Sequence, residues 1–192
     1  MFTHKHILQA AGILVALSTA LPVSTARAQS QDHYGLGSPI GPQELAKFSA
    51  IPADGTGLPP GSGTAAAGAK VFADSCAACH GDKGQGNPAK GVGGDRLLGG
   101  RGTLASDTPI KTVESYWPYA TTLFDYVKRS MPFNAPGTLS DNDIYAVVAY
   151  ILSEAKIIKP ADTMNAATLP KVMMPNRDGF IPDSRPELEL YH

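Results

Sequence analysis

The chain of 192 residues contains only two cysteines, and a histidine follows the second one directly, in the segment Cys76-Ala77-Ala78-Cys79-His80. Two cysteines are too few for a disulfide framework or a four-cysteine zinc site. The C-x-x-C-H spacing is the attachment pattern of c-type haem, in which two thiols bond to the two vinyl groups at one edge of a porphyrin. The adjacent imidazole then lies beneath the iron as its proximal ligand. The segment therefore predicts one covalent haem c attached at Cys76 and Cys79, with His80 as an iron ligand.

Three other uses of this segment are weaker interpretations. A dithiol redox site needs no adjacent histidine and usually lies in a βαβ pattern, which the surrounding sequence lacks. A disulfide between Cys76 and Cys79 would close a very short loop and contribute little stability. A zinc ion needs further nearby ligands. Beyond residue 28 the chain offers only three histidines, which are His33, His80 and His192.

The first 28 residues have the pattern of a secretory signal peptide. Lys5 supplies positive charge, the stretch from Ile7 to Leu21 is mostly apolar, and Ala26-Arg27-Ala28 fits a small-x-small cleavage site. An uncleaved anchor is the alternative, but the apolar stretch is short for a span of about 20 residues. We therefore expect export to the periplasm and cleavage after Ala28. Export favours haem attachment, because c-type haem is assembled outside the cytoplasm.

Hydrophobic periodicity predicts a mainly α protein with long loops. Helices are expected from Thr64 to about Ala73, from Thr121 to Ser130 and from Ser140 to about Lys156, and a short helix fits Pro42 to Phe48. Thr64 can cap the first of them, and Ser140 with Asp143 resembles a capping box. No convincing alternating strand is present. The last long helix has an apolar face formed by Ile144, Val147, Val148, Ile151 and Leu152.

Glycine and proline divide the chain into four segments. After the signal peptide (1–28), we expect an irregular N-terminal extension (29–62), a haem domain (63–157) and an extended C-terminal tail (158–192). Aromatic residues make up 7% of the chain, so the core is thin unless a porphyrin fills it. We therefore expect the haem-free chain to fold poorly. A net charge of −1 shows no basic excess of the kind that nucleic-acid binding needs.

Met131 is the predicted second axial ligand. Iron in an electron carrier is usually six-coordinate, and Met131 follows a glycine-rich loop and a helix and precedes the capped last helix. The adjacent Pro132 restricts its backbone. Met174-Pro175 repeats the Met-Pro pair and is the second choice. The remaining candidates are Met164, Met173, His33 and His192.

Together these residues resemble class I cytochrome c. The resemblance comprises Gly68-x-x-x-Phe72, the segment Cys76–Gly81, Met131-Pro132 and the helix that opens at Leu139-Ser140, and it covers residues 63–157. It implies that the first and last helices cross near the haem. It also implies that Gly68 permits close approach there and that Phe72 and Tyr150 pack at the crossing. One departure concerns the proximal histidine. Family members usually offer it a proline carbonyl, whereas this loop reads Gly91-Val92-Gly93-Gly94, which leaves the hydrogen-bond partner of His80 open.

Three segments that flank the main motifs resemble a narrower group of cytochromes. Residues 54–63, 116–122 and 174–180 are similar to those of cytochrome subunits that accompany molybdenum sulfite or sulfane dehydrogenases in bacterial sulfur oxidation. This similarity implies a periplasmic monohaem electron carrier rather than an enzyme, with a molybdopterin dehydrogenase subunit as its partner. We expect the two extensions to wrap that partner. The alternatives are a carrier for another dehydrogenase or a terminal oxidase, and a haem sensor or catalyst with an open sixth site.

Overall fold

The computed structural model describes residues 37–45, 48, 50–87, 94–183 and 185, so the predicted signal peptide lies outside the described residues. The chain divides into two units, Met1–Pro42 and Gln43–His192. In the first unit, the described residues from 37 to 42 are all exposed. No helix among the described residues is long and apolar enough to cross a membrane.

The described residues form short helices joined by loops, with one small sheet. In chain order the elements are α1 (Pro42–Leu45), β1 (Ser62–Thr64), α2 (Ala65–Ser75), α3 (Ala77–His80), α4 (Ala120–Ser130), α5 (Asp141–Glu154), β2 (Thr163–Asn165) and a 3₁₀ helix (Leu169–Lys171). The mainly α class and the three principal helices that the periodicity predicts, α2, α4 and α5, are confirmed.

Two helices begin where the sequence predicts caps. The Oγ1 atom of Thr64 accepts the amide hydrogen of Ala67 at 3.3 Å, and the Oγ atom of Ser140 accepts that of Asp143 at 3.2 Å. Each bond satisfies an amide at a helix start that has no partner inside the helix. Helix α5 is buried on more than its predicted face, because α2, α4, β1 and β2 all pack against it.

Helices α2 and α5 cross in backbone contact. A β-carbon placed on Gly68 would lie 1.8 Å from the carbonyl oxygen of Ala146, and one placed on Gly63 would lie 2.1 Å from the Ala146 nitrogen. No side chain fits in either space. Beside the crossing, the rings of Phe72 and Tyr150 have centroids 5.0 Å apart. The close approach at Gly68 and the Phe72–Tyr150 contact are both confirmed.

The small sheet was not predicted from the sequence. Strands β1 and β2 pair antiparallel, with Gly63 opposite Met164. Each strand has only three residues, too few to show an alternating pattern. The absence of any strand was therefore a wrong prediction, and the sheet ties the segment before α2 to the segment after α5.

The C-terminal segment folds onto the core, whereas the sequence indicated an extended tail. Leu169, Val172 and Met174 are buried in the same hydrophobic cluster as α4 and α5. On the N-terminal side, the hydroxyl of the buried Tyr145 donates to the carbonyl of Pro59 at 2.9 Å. The boundaries at residues 63 and 157 stay a prediction, but residues on both sides of them contribute to one core.

Candidate haem site

The two cysteines lie on one helical turn. The amide of Cys76 donates to the carbonyl of Phe72 at 2.9 Å, which closes the end of α2. The carbonyl of Cys76 then accepts the amides of Cys79 at 3.1 Å and His80 at 3.0 Å, which starts α3. Residues three apart on a helical turn are neighbours on its surface. The segment therefore presents both thiols together and places the imidazole directly after them.

The imidazole of His80 is held by a main-chain oxygen. Its Nδ1 atom lies 2.7 Å from the carbonyl oxygen of Asp95. A carbonyl oxygen can only accept, so Nδ1 carries the hydrogen and Nε2 keeps its lone pair for a metal. Within the described part of the chain, nothing hydrogen-bonds Nε2. Asp95 thus supplies the partner that the sequence left open, and no sequence signal marks it because any residue has a carbonyl.

Further main-chain bonds hold the loop that carries Asp95. The amide of Leu97 donates to the carbonyl of Gly84 at 2.7 Å. The amide of Gly86 donates to the carbonyl of His80, also at 2.7 Å. The loop is therefore tied to the segment that leaves His80, so it keeps the Asp95 carbonyl in place.

The state of the thiols argues against a dithiol redox site. Burial, together with the nearby Cys79 thiol, raises the pKa of Cys76 to about 11. Reactive cysteines of that class have a lowered pKa, because the thiolate is the nucleophile. The thiol of Cys76 is protonated near neutral pH, and both cysteines are free rather than joined in a disulfide.

The chain also has partly exposed apolar surface that a haem could cover. A set of apolar side chains packs against the core on one side and stays partly exposed on the other. It includes Val71, Cys76, Ala77, Leu97, Leu98, Trp117, Met131 and Leu139. Covering such surface with a large apolar ring is favourable. With two thiols on one turn and a free imidazole nitrogen, the chain offers the donor set and the apolar surface that haem c needs.

The methionines differ in their surroundings. Met131 follows the last residue of α4, where its amide donates to the carbonyl of Val127 at 3.1 Å, and its side chain is half-buried. Met174 is 3% exposed and lies in the hydrophobic core. Met164 is buried opposite Gly63, while Met173 is 67% exposed. Met131 as the sixth ligand stays a prediction, and the alternatives His33 and His192 lie outside the described residues.

Two of the three flanking segments contact each other directly. The side-chain amide of Asn176 donates to the carbonyl of Tyr116 at 2.7 Å. The rings of Tyr116 and Phe180 meet edge to face with centroids 5.1 Å apart. The guanidinium of Arg177 lies 5.5 Å from the centre of the Tyr119 ring. Residues 174–180 therefore cover the loop before α4.

Comparison with known proteins places the fold in one family. The family model described as Cytochrome c matches residues 65–155. A chain in the crystal structure of the sulfane dehydrogenase SoxCD from Paracoccus pantotrophus is 41% identical, with a TM-score of 0.70. That match covers 81% of this chain and 75% of the other, so it extends well beyond the residues of the family model.

Two curated relatives match over shorter stretches. Thiosulfate dehydrogenase of Stutzerimonas stutzeri (strain A1501) is 33% identical over 51% of this chain and 30% of its own length. The Cbb3-type cytochrome c oxidase subunit FixP of Bradyrhizobium sp. (strain ORS 278) is 42% identical over 31% of this chain and 21% of its own length. The chain thus spans less than a third of either curated relative.

Proposed function

Because the chain belongs to the cytochrome c family of electron carriers, we propose that it accepts electrons from a molybdopterin-containing sulfane or sulfite dehydrogenase subunit. The observation that carries this proposal is the similarity to a sulfane dehydrogenase chain along most of the sequence. That similarity is longer than the haem domain alone, and the described flanking segments are packed against the core. A shared electron-carrier domain would not by itself require shared flanks.

Four residues hold the cofactor in this proposal. Cys76 and Cys79 would form the thioether bonds, and the Nε2 atom of His80 and the side chain of Met131 would bind the iron. The haem, when bound, supplies reversible one-electron chemistry, and the chain supplies ligation, burial and orientation. Methionine and histidine together give a higher reduction potential than two histidines. In this proposal the protein serves as a non-catalytic, electron-accepting subunit or partner.

The proposed location is the periplasm, with the mature chain starting at Gln29. Support comes from the signal pattern in residues 1–28 and from the haem c cofactor, which is attached outside the cytoplasm. Mass measurement of the protein isolated from a periplasmic fraction tests this. A chain that retains residues 1–28 or stays with the cytoplasmic fraction would contradict it.

The partner is tested by purifying the full chain from its native host and identifying the proteins that accompany it. Sulfite or a sulfane-sulfur compound is then added to the isolated cytochrome and, separately, to the co-purified complex. We expect the visible bands of reduced haem only with the complex, because the substrate oxidation occurs on the partner. Co-purification with an alcohol dehydrogenase or a terminal oxidase instead would contradict the proposed partner but leave the electron carrier intact.

A further inference from the structure

Gly94 lies in main-chain contact with the second cysteine of the motif. A β-carbon placed on Gly94 would lie 2.2 Å from the carbonyl oxygen of Cys79, 2.4 Å from its carbonyl carbon and 2.8 Å from its Cβ. Two of these neighbours are backbone atoms, which cannot rotate away as the end of a flexible side chain can. Any side chain at position 94 therefore forces the two segments apart.

The residue after Gly94 is Asp95, whose carbonyl holds the imidazole of His80 at 2.7 Å. A proline at this carbonyl would restrict the backbone through its ring. Asp95 has no such ring. The amide of Leu97, which donates to Gly84, fixes the loop on the far side of Asp95. On the side before Asp95, the loop is fixed by the contact of Gly94 with Cys79.

We propose that Gly94 is a positioning residue for the proximal histidine. By lacking a side chain, it lets the loop approach the Cys79 backbone closely enough for the Asp95 carbonyl to reach Nδ1 of His80. This inference rests on the proposed role of His80 as an iron ligand. It goes beyond that role by assigning the orientation of the imidazole to Gly94, the residue before the one whose carbonyl bonds the imidazole.

A Gly94→Ala substitution has a definite expected consequence. Relieving the contact with Cys79 needs a displacement of roughly 1 Å, which takes the Asp95 oxygen beyond the hydrogen-bonding range of about 3.2 Å. An imidazole that loses its acceptor becomes a weaker electron donor to the metal. A weaker donor stabilises oxidised iron less, so the midpoint potential shifts upward. The Nδ1 hydrogen of His80 also loses protection and exchanges with solvent roughly tenfold faster.

The experiment uses the holoprotein in three variants beside the wild type. The readouts are the midpoint potential and, by nuclear magnetic resonance, the exchange rate of the His80 ring hydrogen. Gly94→Ala is expected to change both. Gly41→Ala adds the same methyl group in open space and is expected to change neither. Asp95→Asn keeps the main-chain acceptor, so the ring hydrogen is expected to exchange at the wild-type rate.

A Gly94→Ala holoprotein with unchanged potential and unchanged exchange would overturn the inference while the wild-type spectrum still supports histidine ligation. A wild-type spectrum without a histidine-bound iron would instead overturn the proposed function as well. If Gly94→Ala does not accumulate, the wild type still tests the hydrogen bond on which the inference depends. Slow exchange of the ring hydrogen supports the bond to Asp95, and exchange as fast as in a solvent-exposed imidazole overturns it.

Discussion

Gly68 in α2 packs on the main-chain carbonyl of Ala146 in α5 so closely that a β-carbon at position 68 would lie 1.8 Å from that oxygen. Substituting Gly68→Ala must therefore separate α2 and α5 where they cross. Overpacking of this kind typically costs about 1–3 kcal/mol in the free energy of unfolding. Chemical denaturation of the holoprotein measures the loss.

The control for Gly68 is Gly41→Ala, because a β-carbon at position 41 meets nothing within 4 Å. We expect its free energy of unfolding to stay within about 0.5 kcal/mol of the wild type. Equal stability of the Gly68→Ala and Gly41→Ala variants would show that α2 and α5 are not in main-chain contact at Gly68.

Met131→Ala is expected to abolish the sulfur-to-iron charge-transfer band of the oxidised protein, because the substitution removes the proposed thioether ligand. The reduced variant is also expected to bind carbon monoxide readily, since its sixth position is then open. Visible spectroscopy measures both changes. In the wild type we expect the band to be present and carbon monoxide to have no effect, which separates an electron carrier from a haem sensor or catalyst.

Met174→Leu is the matched control, because it removes a sulfur atom and nearly preserves volume in the core. We expect the charge-transfer band to remain and stability to fall by less than about 1.5 kcal/mol. A band that survives in Met131→Ala and disappears in Met174→Leu would transfer the ligand assignment to Met174.

Substitution of Leu169 tests how much the segment after α5 contributes to the stability of the fold. Its side chain is 0% exposed, so Leu169→Ala should lower the free energy of unfolding by about 2–5 kcal/mol. Ile181 lies in the same segment but is 89% exposed, and Ile181→Ala should have an effect within about 0.5 kcal/mol. Similar small effects at both positions would mean that the segment is a dispensable tail.

Tyr145 makes stability depend on alkaline pH. Burial, and then the nearby Asp141, raises the pKa of the Tyr145 hydroxyl above its ordinary value of 10. The folded chain therefore keeps this proton at pH values where the unfolded chain releases it, and stability falls as the pH rises through that range. Tyr145→Phe should reduce the slope of stability against pH above pH 10, measured by denaturation at several pH values. An identical slope in both proteins would contradict this origin.

The features that the sequence predicted well are those encoded in side chains. The caps at Thr64 and Ser140 and the apolar face of α5 depend on residue type and spacing. The contact between Phe72 and Tyr150 was implied by the resemblance to class I cytochrome c. The features it missed are made by the main chain. The partner of His80 is the carbonyl of Asp95, and the small sheet is a three-residue ladder.

The packing of the C-terminal segment was missed for a different reason. Five prolines in residues 157–192 indicated extended chain, whereas the described part of this segment contains turns, β2 and a 3₁₀ helix. Leu169, Val172 and Met174 are irregularly spaced, so they match neither the helical nor the strand period. Their burial depends on contacts with distant elements, including α4, that local sequence patterns do not encode.

The central claim is that one haem is covalently bonded to Cys76 and Cys79 and that His80 binds its iron. The most direct measurement is the mass of the mature protein, and of its peptide containing residues 76–80, after production in a host that attaches c-type haem. The account predicts that the peptide carries one covalently bound haem and that a Cys76→Ala, Cys79→Ala variant carries none. A colourless wild-type protein, with a peptide mass equal to that of its amino acids alone, would contradict it.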